Sequence, residues 1–334
     1  MRFRFDPTYT QRAALRTQLA CLLDADGAND ALPRLLDTGL PAGFQPVSAQ
    51  CTVQRVHADR FVVQAQLRSG AGEECAYALK VYADDFGERV WAHAQALGRH
   101  LQPNHRLVCL PNRYIPHERM LVFPWFEGEF LNRIVDGRKP ELLRQAARLV
   151  ADLHRVPVVP ERLTTARELL AETQARADRL ANCWPPTRDV VEPLLNGLQD
   201  VVAWLDPADP APVHGDLGSA QFVWTGERLV LLDLDRFGYT DPAYDAGHFL
   251  AQLERTCLVD DALLPHAESW VAAFRDTYLS VMPQVSPRNV SFYHSLTLTR
   301  KIYNVCRRDP GASPTLVPRF AARARAALRA VEVQ

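Results

Sequence analysis

The chain carries almost no net charge. Its 38 lysines plus arginines face 39 aspartates plus glutamates, a formal balance of −1. Such a surface offers no electrostatic case for nucleic acid or an anionic membrane. No CxxC pair is present. The seven cysteines stand at 21, 51, 75, 109, 183, 257 and 306. An odd count at wide spacing excludes a disulfide frame and a zinc ribbon, and points to a reducing, cytoplasmic setting. Long apolar runs are missing as well. The longest are of strand length, far short of the ~20 residues of a membrane span, and MRFRFDPTYTQRAAL at the N-terminus lacks the apolar segment of a secretory signal. There is no internal repeat and no low-complexity tract. Glycine is also absent from QRVHADRF (54–61), so this turn lacks the crowded backbone amides of a glycine-rich phosphate cradle.

What is present is ordinary globular material: 334 residues, 47% apolar and 23% charged, enough to bury a sizeable core in two lobes. Residues 1–45 read as a helical extension, with Asp6 as N-cap, Pro7 at the first helical position and a second short helix at 29–38. Residues 46–126 change character. CTVQRV, RFVVQAQL, CAYALKVY, NRYIP and MLVFPWF are five short strands, interrupted by one helix near 85–101 that Asp84 or Asp85 would cap. From 127 to 334 the pattern is helical, at 141–155, 163–181, 188–204, 242–256, 261–280, 288–307 and 316–331. The expected architecture is α+β: a small antiparallel sheet with one helix, then a larger helical lobe, with the ligand cleft at their junction.

One hairpin breaks the helical half. QFVWT (221–225) and RLVLLD (228–233) are strand-like, with Gly226-Glu227 between them. A hairpin folded about residue 227 sets Gln221 opposite Asp233, within reach of one ligand. Alternation puts Asp235 on the face of Asp233. Asp216 precedes this hairpin in a loop bounded by Gly215 and Gly218. Two carboxylates and an amide then converge, as a metal–phosphate site or as a chance meeting of acidic turns. Asp241-Pro242 reads as a helix start.

HGDLGSAQ…LLDLD and the order of the two lobes resemble the aminoglycoside phosphotransferase and choline kinase family, which has the protein-kinase-like fold. The resemblance covers roughly residues 50–310. It implies a soluble enzyme that uses ATP and Mg²⁺ to phosphorylate a hydroxyl of a small molecule such as a sugar, an amino alcohol or an antibiotic. Asp216 matches the family's catalytic base. Asp233 matches its metal-binding aspartate, and Gln221 stands where the family has a metal-binding Asn. Lys80, in CAYALKVY, matches the third-strand lysine that contacts the nucleotide phosphates, with Glu88 as its partner. MLVFPWFEGEF (120–130) matches the interlobe hinge, which puts Phe123, Trp125 and Phe126 at the adenine, Phe126 offering the N–H that Pro124 lacks. His214 would brace the catalytic loop, and Asp245 would tie it down. Gln221 is one methylene longer than Asn, and Mg²⁺ is strict about geometry, so a nucleotide-binding protein with little turnover is the second reading. His248, Glu254, Trp270, Tyr278, Arg300, Lys301 and Tyr303 are candidates for the acceptor site. The arginines of the last two helices, Arg307, Arg308, Arg319, Arg323, Arg325 and Arg329 among them, favour a neutral or anionic acceptor over a polycation.

Overall fold

A computed structural model describes residues 13–36, 40–101, 108–184, 187–308 and 313–333. The expected cap at Asp6 and Pro7 lies outside them. The chain divides into two compact units, Met1–Glu127 and Gly128–Gln334.

In the first unit, α1 (Ala13–Leu23) and α2 (Ala25–Leu36) precede a five-stranded sheet. Its strands are β1 (Pro46–Val56), β2 (Arg60–Ser69), β3 (Glu74–Tyr82), β4 (Arg113–Ile115) and β5 (Met120–Pro124), in the order β1-β2-β3-β5-β4. All neighbouring pairs are antiparallel. The helix α3 (Phe86–Gly98) follows β3. Alternation sorts the sheet's side chains by face. Phe61, Val63, Leu67, Tyr77, Leu79 and Val81 pack with Leu15, Leu19, Leu22, Leu32 and Leu36 of the two helices. Each leucine so buried contributes about 1.5–3 kcal/mol, which fastens α1 and α2 to the sheet's own core. Tyr82 and Leu121, with Phe123 beside them, pack instead with Val90 and Trp91 of α3. Asp85 does not cap α3 with its side chain. The Phe86 N–H donates to Asp84 Oδ1 at 3.2 Å, and Asp85 pairs with Arg119 at 3.1 Å.

The second unit is mostly helical: α4 (Lys139–His154), α5 (Ala166–Cys183), α6 (Arg188–Val201), α7 (Ala243–Leu258), α8 (Ala267–Val281), α9 (Pro287–Arg308) and α10 (Ser313–Val333). Five short strands lie among them. Here β6 (Glu129–Phe130), β8 (Phe222–Trp224) and β9 (Leu229–Leu231) form one ribbon, and β7 (Ala211–Val213) pairs with β10 (Gly238–Thr240). The core is aromatic at its centre: Phe249 stacks on Phe274 at 4.0 Å, and Phe222 meets Phe249 edge-on at 5.9 Å. Pro287 to Arg308 forms a single helix, and among the described residues no helix is long and apolar enough to cross a membrane.

A lysine is locked inside this unit. Lys139 is 1% exposed, its Nζ donates to the Leu131 carbonyl, and the ammonium lies 5.0 Å from the Trp270 ring centre. Burial pulls the ammonium down to about 8. A base whose folded value lies below its unfolded value leaves the unfolded chain holding more protons in between, so stability rises with pH there. The unfolding free energy should climb from about pH 8 toward the ordinary lysine value of ~10.4, by at most about 1.4 kcal/mol per pH unit. Chemical denaturation across that range should show the climb in the native chain and lose it in Lys139→Met.

Candidate active site

The loop after β7 carries His214, Gly215 and Asp216, and one buried carboxylate holds it. Asp245, in the first turn of α7, has no exposure. Its Oδ2 accepts the His214 N–H at 2.6 Å and its Oδ1 accepts the Gly215 N–H at 2.9 Å. His154 Nε2 approaches Oδ2 at 3.1 Å, while His154 Nδ1 meets the Tyr278 hydroxyl at 2.8 Å. Burial pushes the Asp245 carboxyl up, but the His154 imidazole and these donors outweigh it and hold the group below its ordinary value. Gly215 is required where it stands. Its φ is +82°, and a Cβ there would lie 2.1 Å from the Arg236 carbonyl oxygen.

His214 links this loop to the hairpin. Its Nε2 is 2.9 Å from the Leu232 carbonyl, which only accepts, so Nε2 carries the proton. Its Nδ1 is then free to accept the Asp216 N–H at 3.3 Å. Both ring nitrogens are committed, and His214 acts as a brace.

The hairpin differs from its expected register. Pairing runs Phe222↔Leu231, Val223↔Val230 and Trp224↔Leu229. A two-residue turn has its axis between Gly226 and Glu227, with Thr225 N–H donating to the Arg228 carbonyl at 3.1 Å and Gly226 at φ +95°. Gln221 therefore pairs with Leu232, whose N–H donates to the Gln221 carbonyl at 2.7 Å. The strands stop at Leu231, short of Asp233. Asp233 takes the left-handed conformation, φ 68° and ψ 63°, and starts a 3₁₀ turn over Leu234–Arg236. Alternation thus does not govern Asp235. A non-glycine residue held at positive φ costs about 1–3 kcal/mol and is characteristic of functional positions, although aspartate bears it better than most. The Gln221 side chain folds against Gly218, its Oε1 3.1 Å from where a Cβ would be. Gln221 and Asp233 offer hard oxygen donors from adjoining backbone. That set fits Mg²⁺, which takes one or two protein carboxylates and completes its shell with phosphate and water oxygens.

Asp216 opens onto a pocket of ≈ 320 Å³ inside the second unit. Its side chain keeps 57% of its exposure, with Oδ1 3.4 Å from Nε2 of the buried His248. Desolvation raises the Asp216 carboxyl, but His248, Lys301 and His214 together bring it below its ordinary value. It is ionised at neutral pH and able to accept a hydroxyl proton. Burial and the nearby Lys301 and Arg300 hold His248 down against the pull of Asp216.

The first unit holds the remaining candidates. Lys80 is 7% exposed on β3, between Val62 and Leu121, with its Nζ 5.7 Å from the Tyr82 ring centre. Glu88 is not its partner. It is exposed in the first turn of α3 and, among the described residues, has no ion pair. A carboxylate is favoured there by the helix N-terminus alone. Phe123 pairs with Ala78 of β3. The Trp125 N–H donates to the Ala76 carbonyl at 3.3 Å, and its indole N–H to Glu127 at 2.6 Å. Phe126 follows, half-buried. In the glycine-free turn, Arg60 pairs with Asp59 at 3.0 Å, and burial with Arg60 and Arg55 depresses His57.

The profile of the Phosphotransferase enzyme family matches residues 87–288, more than half of the chain. The chain belongs to this family. Among solved structures, the phosphotransferase is similar to a choline/ethanolamine kinase family protein from Mesorhizobium loti, at 18% identity and TM-score 0.55, over 91% of this chain and 99% of that one. It is also similar to choline kinase LicA from Streptococcus pneumoniae, at 14% identity and TM-score 0.53, over 91% and 99%. A thermostable mutant of aminoglycoside phosphotransferase APH(4)-Ia, in ternary complex with ADP and hygromycin B, matches at 14% identity and TM-score 0.59, over 90% and 97%. These likenesses identify the protein-kinase-like fold: an antiparallel sheet lobe followed by a mainly helical one. No curated protein sequence matches.

Of the candidates for the acceptor site in the phosphotransferase, His248, Arg300 and Lys301 line the pocket. Glu254 is buried against His294 and Arg323, Trp270 stacks on His266, and Tyr278 belongs to the Asp245 network. Arg176 and Arg236 line the pocket but were not among the acceptor candidates read from the sequence. No local pattern marks them, because long-range packing brings them there. Asp245→Ala would strand two backbone N–H groups and His154, and should cost about 3–5 kcal/mol in chemical denaturation. Because the folded carboxyl lies below its unfolded value, the native chain should also lose this contribution as pH falls through the acidic range. The Ala variant should show a shallower acid dependence.

Proposed function

We propose that the chain transfers the γ-phosphoryl group of Mg-ATP to a hydroxyl of a small molecule, with Asp216 as base. The observation that supports this most directly is Asp216 itself: an ionised carboxylate on a loop pinned by Asp245 and His214, at the wall of a pocket. The acceptor oxygen would attack the γ-phosphorus, the bond to the β–γ bridging oxygen would break, ADP would leave, and Asp216 would take the proton. Such transfers have loose transition states, so positioning and charge neutralisation dominate. Asp233 and Gln221 would hold Mg²⁺, whose charge screens the phosphate oxygens when bound. Lys80 would contact the nucleotide phosphates, and Phe123, Trp125 and Phe126 the adenine. With the Trp125 N–H committed to Ala76, Phe126 is the backbone donor. Residues 46–126 would form the nucleotide lobe and 127–334 the acceptor and metal lobe, with 1–45 as an extension. The free cysteines at 21, 51, 75, 109, 257 and 306 suit a cytoplasmic setting.

Asp216→Asn should lower turnover by about 10²–10⁴-fold with nucleotide binding intact. Turnover at the native rate would remove the mechanism. Asp233→Asn keeps a residue that tolerates positive φ but removes a charge. It should leave the melting temperature of the apo protein nearly unchanged and abolish its Mg²⁺-dependent stabilisation by ATP.

Gln221 favours a second reading, a nucleotide-binding member with little turnover. Gln221→Asn separates the two. Mg-ATP consumption by the native chain over a panel of sugars, amino alcohols and aminoglycosides should be visible without the change. Activity that appears only in the Asn variant identifies a degenerate kinase.

A further inference from the structure

The pocket beside Asp216 carries more cationic than anionic side chains. Arg176, Arg236, Arg300 and Lys301 line it against Glu172 and Asp216. Arg300 is the decisive residue. It is 8% exposed, and its guanidinium donates to the Thr173 hydroxyl at 3.2 and 3.3 Å and to the Leu169 carbonyl at 3.5 Å. It also bonds the Tyr244 hydroxyl. All of these acceptors are neutral. Guanidinium cannot shed its proton, and a buried charge without an opposite charge is costly. Arg176 is half-buried on α5 and, among the described residues, has no ion pair. Burial and then the nearby Arg300 pull it below its ordinary value, with only the exposed Glu172 and Tyr244 acting the other way. Two guanidiniums thus face one space with too little negative charge between them.

We infer that the acceptor is a small hydroxylated oxyanion, a carboxylate or phosphate ester, whose anionic group is held by Arg176 and Arg300 while its hydroxyl faces Asp216. This rests on the phosphotransfer reading and narrows it. The arrangement disfavours aminoglycosides and choline, whose cations would meet the arginines. It puts the anion-binding charge on α5 and α9, whereas Arg319 and Arg323 of the C-terminal helix are spent on Asp261 and Glu254.

Calorimetric titration at low salt should compare glycerate and glucose 6-phosphate with glucose, choline and kanamycin. At least one of the two oxyanions should bind, and which one binds tells carboxylate from phosphate ester. Arg176→Gln should weaken that binding by about tenfold or more, as expected for a hydrogen bond to a charged group. It should not lower the melting temperature of the apo protein, because it removes a repulsion from Arg300. A merely structural arginine would lower that temperature and leave affinity unchanged. The oxyanion should bind together with a non-hydrolysable Mg-nucleotide. Four results would overturn the inference: binding of choline or kanamycin in place of the oxyanions, binding of none of the oxyanions, equal oxyanion affinity in Arg176→Gln, or mutual exclusion with the nucleotide. The two readings fail separately. Oxyanion binding without ATP consumption by the native chain would sink phosphotransfer and keep the anion pocket. ATP-dependent phosphorylation of glucose, choline or kanamycin alone would do the reverse.

Discussion

The Asp245 carboxylate, fully buried, takes the backbone N–H groups of His214 and Gly215 on its two oxygens. Behind it His154 and Tyr278 lead to the Pro242 carbonyl, at the start of the helix that carries Asp245. A charge this deep survives only because donors surround it; those donors come from the loop and from α4, with Tyr278 of α8 behind His154. The position of Asp216 therefore depends on four separated stretches of chain agreeing on one carboxylate. Buried polar networks of this kind impose geometry as well as stability.

From that anchor the constraint passes through His214 to Leu232, and Leu232 also bonds the Gln221 carbonyl. Asp233 is the next residue, and its left-handed backbone is the local strain that this over-determined neighbourhood can hold. The acid that would face a hydroxyl and the acid that would face a metal are thus two ends of one hydrogen-bonded path. Neither lies on a regular strand. Short strands and a tight loop end where each carboxylate must turn aside from the sheet direction.

The charge of the second unit is organised differently from its composition. Nearly balanced overall, it gathers arginines where α5, α7 and α9 meet the catalytic loop. The chain has only three lysines, and each has a special place: Lys80 buried on β3, Lys139 enclosed under Trp270, and Lys301 at the pocket. Where arginine supplies nearly all other positive charge, the pocket receives planar donors suited to carboxylate and phosphate.

The sequence by itself determined the elements and the chemistry that is local in the chain. Alternating apolar residues in 60–67 and 75–82 dictate strands with two distinct faces. The spacing of Asp216, the two-residue turn at Gly226 and Asp233 carries the family resemblance. It could not set the hairpin register, because placing the axis on residue 227 or between residues 226 and 227 is a one-residue difference settled by the turn's own hydrogen bonds. Nor could it reject Glu88 as the partner of Lys80, since an acid in a first helical turn reads the same whether it pairs or is solvated. Tertiary structure alone decided that His154 stands against Asp245, that Tyr278 serves His154, and that Arg176 and Arg300 share a wall. These groups lie up to 124 residues apart in the chain, as His154 and Tyr278 do, and their meeting depends on helix packing that no local pattern encodes.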